Sequence, residues 1–278
     1  MLTPWASNHL KSPPKKENKN MAVILAPARG KKLTGMPTEG LIVLVGLPKA
    51  GKTHFVASFP DSVILELEKG GGDRVAGRIQ DVKTLQEFRE YFKAAIDDPE
   101  IKVIGVDTVD RFNDLIEDDI AQARGLSTIS ERKAGVDGFE LWGEHRQRIT
   151  GFVEACKNCG KLVVVLAHCR DPKLSTDGSV MIPSGVNMPG KSGPYLAAQA
   201  DAIGYHYKKQ IGAQTQYFLT FQGGPLGTWG SRIEELEDKT IQLSKSDPYG
   251  SFASIFKTNG KAQDVAPAKT ENKKKGGK

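Results

Sequence analysis

The chain has 278 residues, 39 of them Lys or Arg and 33 Asp or Glu, for a formal charge of +6; that length holds one large α/β domain with tails or two small domains. No apolar run approaches the ~20 residues of a membrane span, and Met21-Ala22-Val23-Ile24-Leu25-Ala26 is too short for a signal-peptide core, so membrane and exported classes are set aside and the cytoplasm is expected. The charge is uneven: residues 1–39 carry seven basic and two acidic residues, residues 260–278 six and two, and the stretch between them is −3, which excludes a globally basic surface and leaves polyanion contact to the tails or to local loops.

Residues 1–39 are rich in Lys, Pro, Asn and Gly without periodicity, and such a stretch cannot repay the entropy of ordering. It is expected to be disordered. Leu41 to Val45 form a short β-branched apolar run, the pattern of a buried parallel strand. Gly46-Leu47-Pro48-Lys49-Ala50-Gly51-Lys52-Thr53 follows and matches the phosphate-binding pattern G-x-x-x-x-G-K-[ST]. A strand turning into a helix through such a loop aims several backbone N–H groups at one spot, where phosphate oxygens fit. Gly46 and Gly51 let the backbone curl, Lys52 reaches the β- and γ-phosphates, and the Thr53 hydroxyl takes a place on Mg²⁺. The loop therefore binds a nucleoside triphosphate with Mg²⁺.

Residues 53–58 should complete a short helix before Phe59-Pro60-Asp61. Ser62 to Glu68 read as a second strand with Glu66 and Glu68 at its exit, ended by Lys69-Gly70-Gly71-Gly72. Thr84-x-x-Glu87 is a capping box, and Leu85, Phe88, Phe92 and Ile96 follow at helical spacing, so residues 84–97 form a helix. Ile101 to Asp107 are a third strand ending in an acid, the pattern of a Walker B element whose Asp107 holds Mg²⁺ through water; the plainer alternative makes Asp107 the N-cap of the next helix, with Val109, Phe112, Ile116 and Ile120 on its inner face. A loop at 125–135 carries Arg132 and Lys133. A longer helix, started by Asp137-x-x-Glu140, turns Trp142, His145, Ile149, Phe152 and Cys156 inward.

Cys156, Cys159 and Cys169 are an odd number with no export signal, so no disulfide framework is expected. The Cys156-x-x-Cys159 spacing has no second cysteine pair and closes a helix at Gly160, which reads as packing plus a C-cap, with redox or metal work the lesser alternative. Lys161 to His168 are a fourth strand, ending in a polar residue at the edge where open α/β sheets bind ligands. Residues 169–193 lack periodicity and hold Arg170, Lys173 and Lys191; so long an irregular stretch is functional or disordered. Residues 201–207 and 215–221 alternate like a hairpin about Lys208 to Ala213. Residues 260–278 form a second basic tail.

A phosphate loop, a strand ending in Glu, a strand ending in Asp and a strand ending in a polar residue resemble the RecA-type ATPase core. The Gly-Leu-Pro-Lys-Ala-Gly-Lys-Thr loop, Leu-Glu-Lys-Gly-Gly and Leu-Ala-His resemble most the phage-encoded RecA-core proteins of single-strand annealing and recombination, over about residues 40–210. The resemblance implies ATP as the nucleotide, Glu68 as the base that polarises the attacking water, with Glu66 its competitor, and His168 as the γ-phosphate sensor. It also implies DNA-stimulated ATP hydrolysis, single-stranded DNA bound through residues 169–193 and the basic tails, a homo-oligomer, recombination partners such as a single-strand binding protein, and the cytoplasm of a host cell. His168 stands where RecA carries an amide, no RecA-type oligomerisation element is recognisable in residues 1–39, and Lys208, Lys209 and Arg232 are weak candidates for a trans-acting cation.

The expected fold is α/β: a mostly parallel central sheet with helices on both faces and a C-terminal antiparallel extension. The expected organisation is a basic segment at 1–39, a RecA-like ATPase domain at 40–259 and a lysine-rich tail at 260–278. The resemblance further implies that the strand 161–168 lies between 41–45 and 101–107, with 62–68 outside the latter. Two other functions fit the residues: a nucleotide-switched interaction module of loader or partition type without a DNA substrate, and, more weakly, a packaging or helicase motor.

Overall fold

The computed structural model describes residues 34–73, 75–176, 180–182, 184–224 and 227–258. The expectations for residues 1–33 and for the C-terminal tail lie outside the described residues. Of the N-terminal segment, Gly35 and Met36 are in place against the domain: the Gly35 N–H donates to Glu235 at 2.7 Å, and Met36 packs on the core.

In chain order the elements are β1 (Gly40–Gly46), α1 (Lys52–Ala57), β2 (Ser62–Glu66), β3 (Arg78–Asp81), α2 (Leu85–Asp97), β4 (Val103–Asp107), α3 (Val109–Ala123), α4 (Gly138–Asn158) and β5 (Leu162–Arg170). They continue with β6 (Lys173–Leu174), β7 (Val180–Ile182), β8 (Gly185–Val186), α5 (Ser192–Gln199), β9 (Ala202–Ile211), β10 (Gln214–Thr220), β11 (Gly230–Ser231), β12 (Thr240–Leu243) and α6 (Pro248–Thr258). Across the main sheet the order is β12-β10-β9-β1-β5-β4-β2-β3. The phosphate-loop strand β1 pairs in parallel with β5, and β5 with β4; β4 pairs with β2. This is the RecA-type order expected from the sequence. Beyond β9 the sheet becomes antiparallel through β10 and β12.

Burial on both faces follows from residue alternation. Leu41, Val43 and Val45 face a core shared with Phe88, Phe112, Phe152 and Leu196 of α2 to α5, while Ile42 and Leu44 face Phe55, Phe59 and Phe252 of the α1 and α6 side. Side chains of a strand alternate between faces, so a strand covered twice reads as one continuous apolar run. Gly105 in β4 lets α1 lie close: a Cβ there would meet Val56 Cγ1 at 2.9 Å.

Several expectations are corrected. The second strand ends at Glu66, which places Glu68 in the following turn. The N-cap of α3 is Thr108, whose side chain accepts from the Arg111 N–H at 3.5 Å; Asp107 is thereby left to the site. On α4 it is Leu141 that is fully buried, and Trp142 is 38% exposed; the two are neighbours on the helix, and the core lies under the first. Residues 169–193 are not structureless: β5 runs on to Arg170, β6 pairs with β7, and β8 pairs antiparallel with β5. The strands β6, β7 and β8 are two or three residues long, too short for any periodicity to register. The stretch Lys208 to Ala213 is mostly strand, with the turn confined to Gly212 and Ala213. Cys156 is buried, and Gly160 turns left-handed at φ 72 after α4, the packing and C-cap expected from the sequence.

Candidate active site

The loop leaves the end of β1 at Gly46 and enters α1 through Gly51, whose φ of 109 lies in the left-handed region. Two contacts demand glycine here. A Cβ on Gly46 would sit 2.4 Å from the His206 carbonyl oxygen, and one on Gly51 would sit 3.2 Å from His206 Cε1. Strand β9 therefore backs the phosphate loop at backbone distance. Lys52 is buried, and its ammonium donates to the carbonyls of Gly46 at 2.9 Å and Leu47 at 3.0 Å. Burial pushes the Lys52 pKa down, against the pull of Asp107, Asp110 and Glu68. The ammonium is thus held by two loop carbonyls, with three carboxylates nearby favouring its charge.

Asp107 closes β4 beside Glu66, its register partner on β2. The Thr53 hydroxyl donates to Asp107 Oδ2 at 2.6 Å. Burial raises the Asp107 pKa, and that hydrogen bond and Lys52 oppose it. Glu66 is buried and accepts the Gly72 N–H at 2.5 Å, so it pins the glycine turn; burial also raises its pKa. Glu68 is different. Its side chain is 52% exposed, and its Oε2 lies 3.9 Å from His168 Nε2. Of the two candidates for water activation, Glu68 is the one facing open space and Glu66 the one tied to backbone.

His168 sits opposite Gly46, at the end of the β1–β5 ladder. Its backbone N–H donates to Asp110 Oδ2 at 2.8 Å, its Nδ1 lies 3.5 Å from the same oxygen, and its carbonyl accepts the Asn187 N–H at 3.1 Å. Asp110 stands three residues after Asp107 on the first turn of α3. Burial raises its pKa, and the His168 N–H opposes that.

The profile of the AAA-domain family matches residues 39–233. The chain belongs to the AAA-domain family. With the strand order above, it is a P-loop ATPase of the RecA type. No curated protein matches the chain. Among solved structures, this AAA-domain protein is similar to the KaiC-like protein of Pyrococcus horikoshii OT3 at 13% identity, with 76% of this chain and 87% of that one covered and a TM-score of 0.40. It is also similar to the flagellar accessory protein FlaH of Methanocaldococcus jannaschii at 12% identity, with 75% and 86% covered and a TM-score of 0.37.

The fold thus brings Lys52, Thr53, Glu68, Asp107 and His168 to one end of the sheet. Two neighbours escaped the sequence reading. Asp110 carried a signal, an acid one helical turn beyond the Walker B aspartate. His206 carried none: it is buried within an alternating strand, and only the pairing of β9 with β1 puts it beneath the loop. Beside the loop, Lys49, Phe55, His206, Tyr217 and Leu243 line a cavity of about 330 Å³. A second cavity, of about 480 Å³, lies between α4 and the start of α5 and is lined by Trp142, Arg146, Ile149, Lys191 and Tyr195 among others. Of the loop cations, Lys191 reaches this groove; Arg170 ends β5 opposite Gly185, and Lys173 is exposed on β6. Lys209 lies over the rings of Tyr207 and Phe218, at 5.4 Å and 5.8 Å, and Arg232 donates to the Ala198 carbonyl. Among the described residues no helix is long and apolar enough to cross a membrane.

Proposed function

We propose that this AAA-domain protein hydrolyses ATP and works on single-stranded DNA, in recombination by strand annealing of the phage type. The triphosphate lies on the loop 46–53, where Lys52 meets the β- and γ-phosphates. The cavity beside the loop, lined by Phe55, Tyr217 and Leu243, takes the base. A hydroxyl and a carboxylate are the hard oxygen donors that suit Mg²⁺, and Thr53 and Asp107 supply them side by side. The ion would neutralise phosphate charge. Glu68 orients the attacking water, and His168 contacts the terminal phosphate. Transfer of a phosphoryl group needs little covalent help from a protein, and positioned charge supplies most of the acceleration.

The observation that carries the DNA reading is the groove at Trp142, Arg146, Lys191 and Tyr195. Single-strand binders combine cations that follow the phosphates with aromatic rings on which bases stack, and this groove offers both on a domain that is otherwise acidic. Lys191 stands in the connection that follows β5, two strand residues beyond His168, which supports a nucleotide-dependent response. The test is the ATPase rate with and without single-stranded DNA, together with DNA affinity in each nucleotide state. Stimulation by DNA is expected. Hydrolysis without stimulation or DNA binding would leave the nucleotide-switched interaction module as the better reading.

A further inference from the structure

We infer that Asp110 is a positioning residue for His168: it replaces a missing strand at the one place where β5 changes partner, and so fixes where the imidazole meets the terminal phosphate. The inference rests on the ATPase reading for its kinetic consequence but on the ladder for its geometry. Strand β4 follows β5 only as far as the pair Asp107 and Leu166. From Cys169 onward β5 is followed instead by β8, antiparallel, with Cys169 opposite Val186. Between the two stand Ala167 and His168, and it is the His168 N–H that turns to Asp110. A buried backbone N–H without a partner is rare because it costs about as much as a lost hydrogen bond. Here the Asp110 carboxylate accepts it at 2.8 Å, while the Asn187 N–H takes the carbonyl at 3.1 Å.

The same Asp110 oxygen lies 3.5 Å from His168 Nδ1, which turns Nε2 toward Glu68 at 3.9 Å. One carboxylate thus sets both the main chain and the ring of His168. An acid in a first helical turn is commonly no more than a favourable charge near the helix start. Two features separate Asp110 from that case. Its side chain is only 16% exposed, and of the groups that hydrogen-bond its carboxylate the distant His168 N–H outweighs its own N–H and the Thr108 hydroxyl at the helix start.

The test compares Asp110→Ala and Asp110→Asn in the wild-type and His168→Ala backgrounds, in the full chain. A misplacement of about 1 Å near the reacting group costs on the order of 100-fold in rate. Asp110→Ala is therefore expected to lower kcat about 10- to 100-fold while KM for ATP moves less than about threefold. Asp110→Asn keeps an acceptor for the N–H and is expected to recover much of that loss. In the His168→Ala background, neither change should lower kcat further, because the two residues act as one unit. An equal loss in both backgrounds, or a rise in KM with kcat intact, would overturn the inference. A second readout needs no ATPase activity: the His168 amide proton, assigned by NMR, should move upfield and exchange faster in Asp110→Ala than in Asp110→Asn. An amide unchanged in both would overturn the inference even if the enzyme hydrolyses ATP. An enzyme that fails to hydrolyse ATP but shows the amide shift would sink the ATPase reading and leave Asp110 in place.

Discussion

At the scale of single residues, the roles divide by where each charge can act. On the proposed reading Lys52 contacts bound phosphates, so Lys52→Ala is expected to weaken triphosphate binding about 10- to 100-fold, the worth of a charge-assisted contact, measured by equilibrium titration. On the same reading Glu68 orients the attacking water, so Glu68→Gln should bind triphosphate normally and hydrolyse it about 100-fold more slowly. Normal turnover in that variant would return the role to Glu66. His206 supports a prediction in pH. Burial lowers its pKa from 6.5 to about 4, with Lys52 and His54 adding to the effect. The ring stays neutral in the folded chain while the unfolded chain takes a proton, so its contribution is complete above about pH 6.5 and is lost as pH falls toward 4, by roughly 3 kcal/mol. The raised carboxylates Glu66, Asp107 and Asp110 act in the opposite sense, since the folded chain takes up their protons first. Comparing unfolding free energies of wild type and His206→Gln from pH 7 to 4 cancels the carboxylates; the variant should lose less stability across that range.

At the scale of elements, the close approach of β9 to the loop sets the next expectation. Gly46→Ala places a methyl 2.4 Å from the His206 carbonyl, and the strand must move. Overpacking of this kind costs about 1 to 3 kcal/mol, so a lower unfolding temperature and weaker nucleotide binding are expected together. The same elements show what a sequence can convey. The strands β1, β4 and β5 were legible because burial on both faces writes a continuous apolar run, and α2 because Thr84 accepts the Glu87 N–H at 3.1 Å as its spacing announced. The strand β3 went unread: Arg78, Ile79, Gln80 and Asp81 lie on an edge, where one neighbour and much solvent impose little pattern. The helices α5 and α6 were unread too, since Ser192-Gly193-Pro194 and Pro248-Tyr249-Gly250 open them with residues that more often mark turns. In the site, motif residues carry their own spacing, whereas Asp110 and His206 gain their importance from strands and helices distant in sequence. Only pairing reveals such neighbours.

At the scale of the molecule, charge and attachment are separated. The basic terminal segments flank a domain of opposite net charge, so they should add DNA affinity without responding to nucleotide. Each phosphate neutralised on a single strand contributes a salt slope of about −0.7. Removing residues 1–33 and 259–278, which spares Gly35 and Met36 on the domain, is expected to weaken single-strand binding and flatten its salt dependence while its response to ATP persists. Loss of the entire ATP-sensitive component on truncation would count against the groove. Strand β9 has a consequence of a different kind. It pairs with β1 over residues 202–205 and with β10 over residues 205–211, sets its His206 carbonyl against Gly46, and ends at the exposed turn of Gly212 and Ala213. The strand thus runs unbroken from the phosphate loop at one end to water at the other. A dye placed on Ala213 would therefore serve as a remote gauge of the loop, its signal changing as nucleotide enters and leaves a site it never touches.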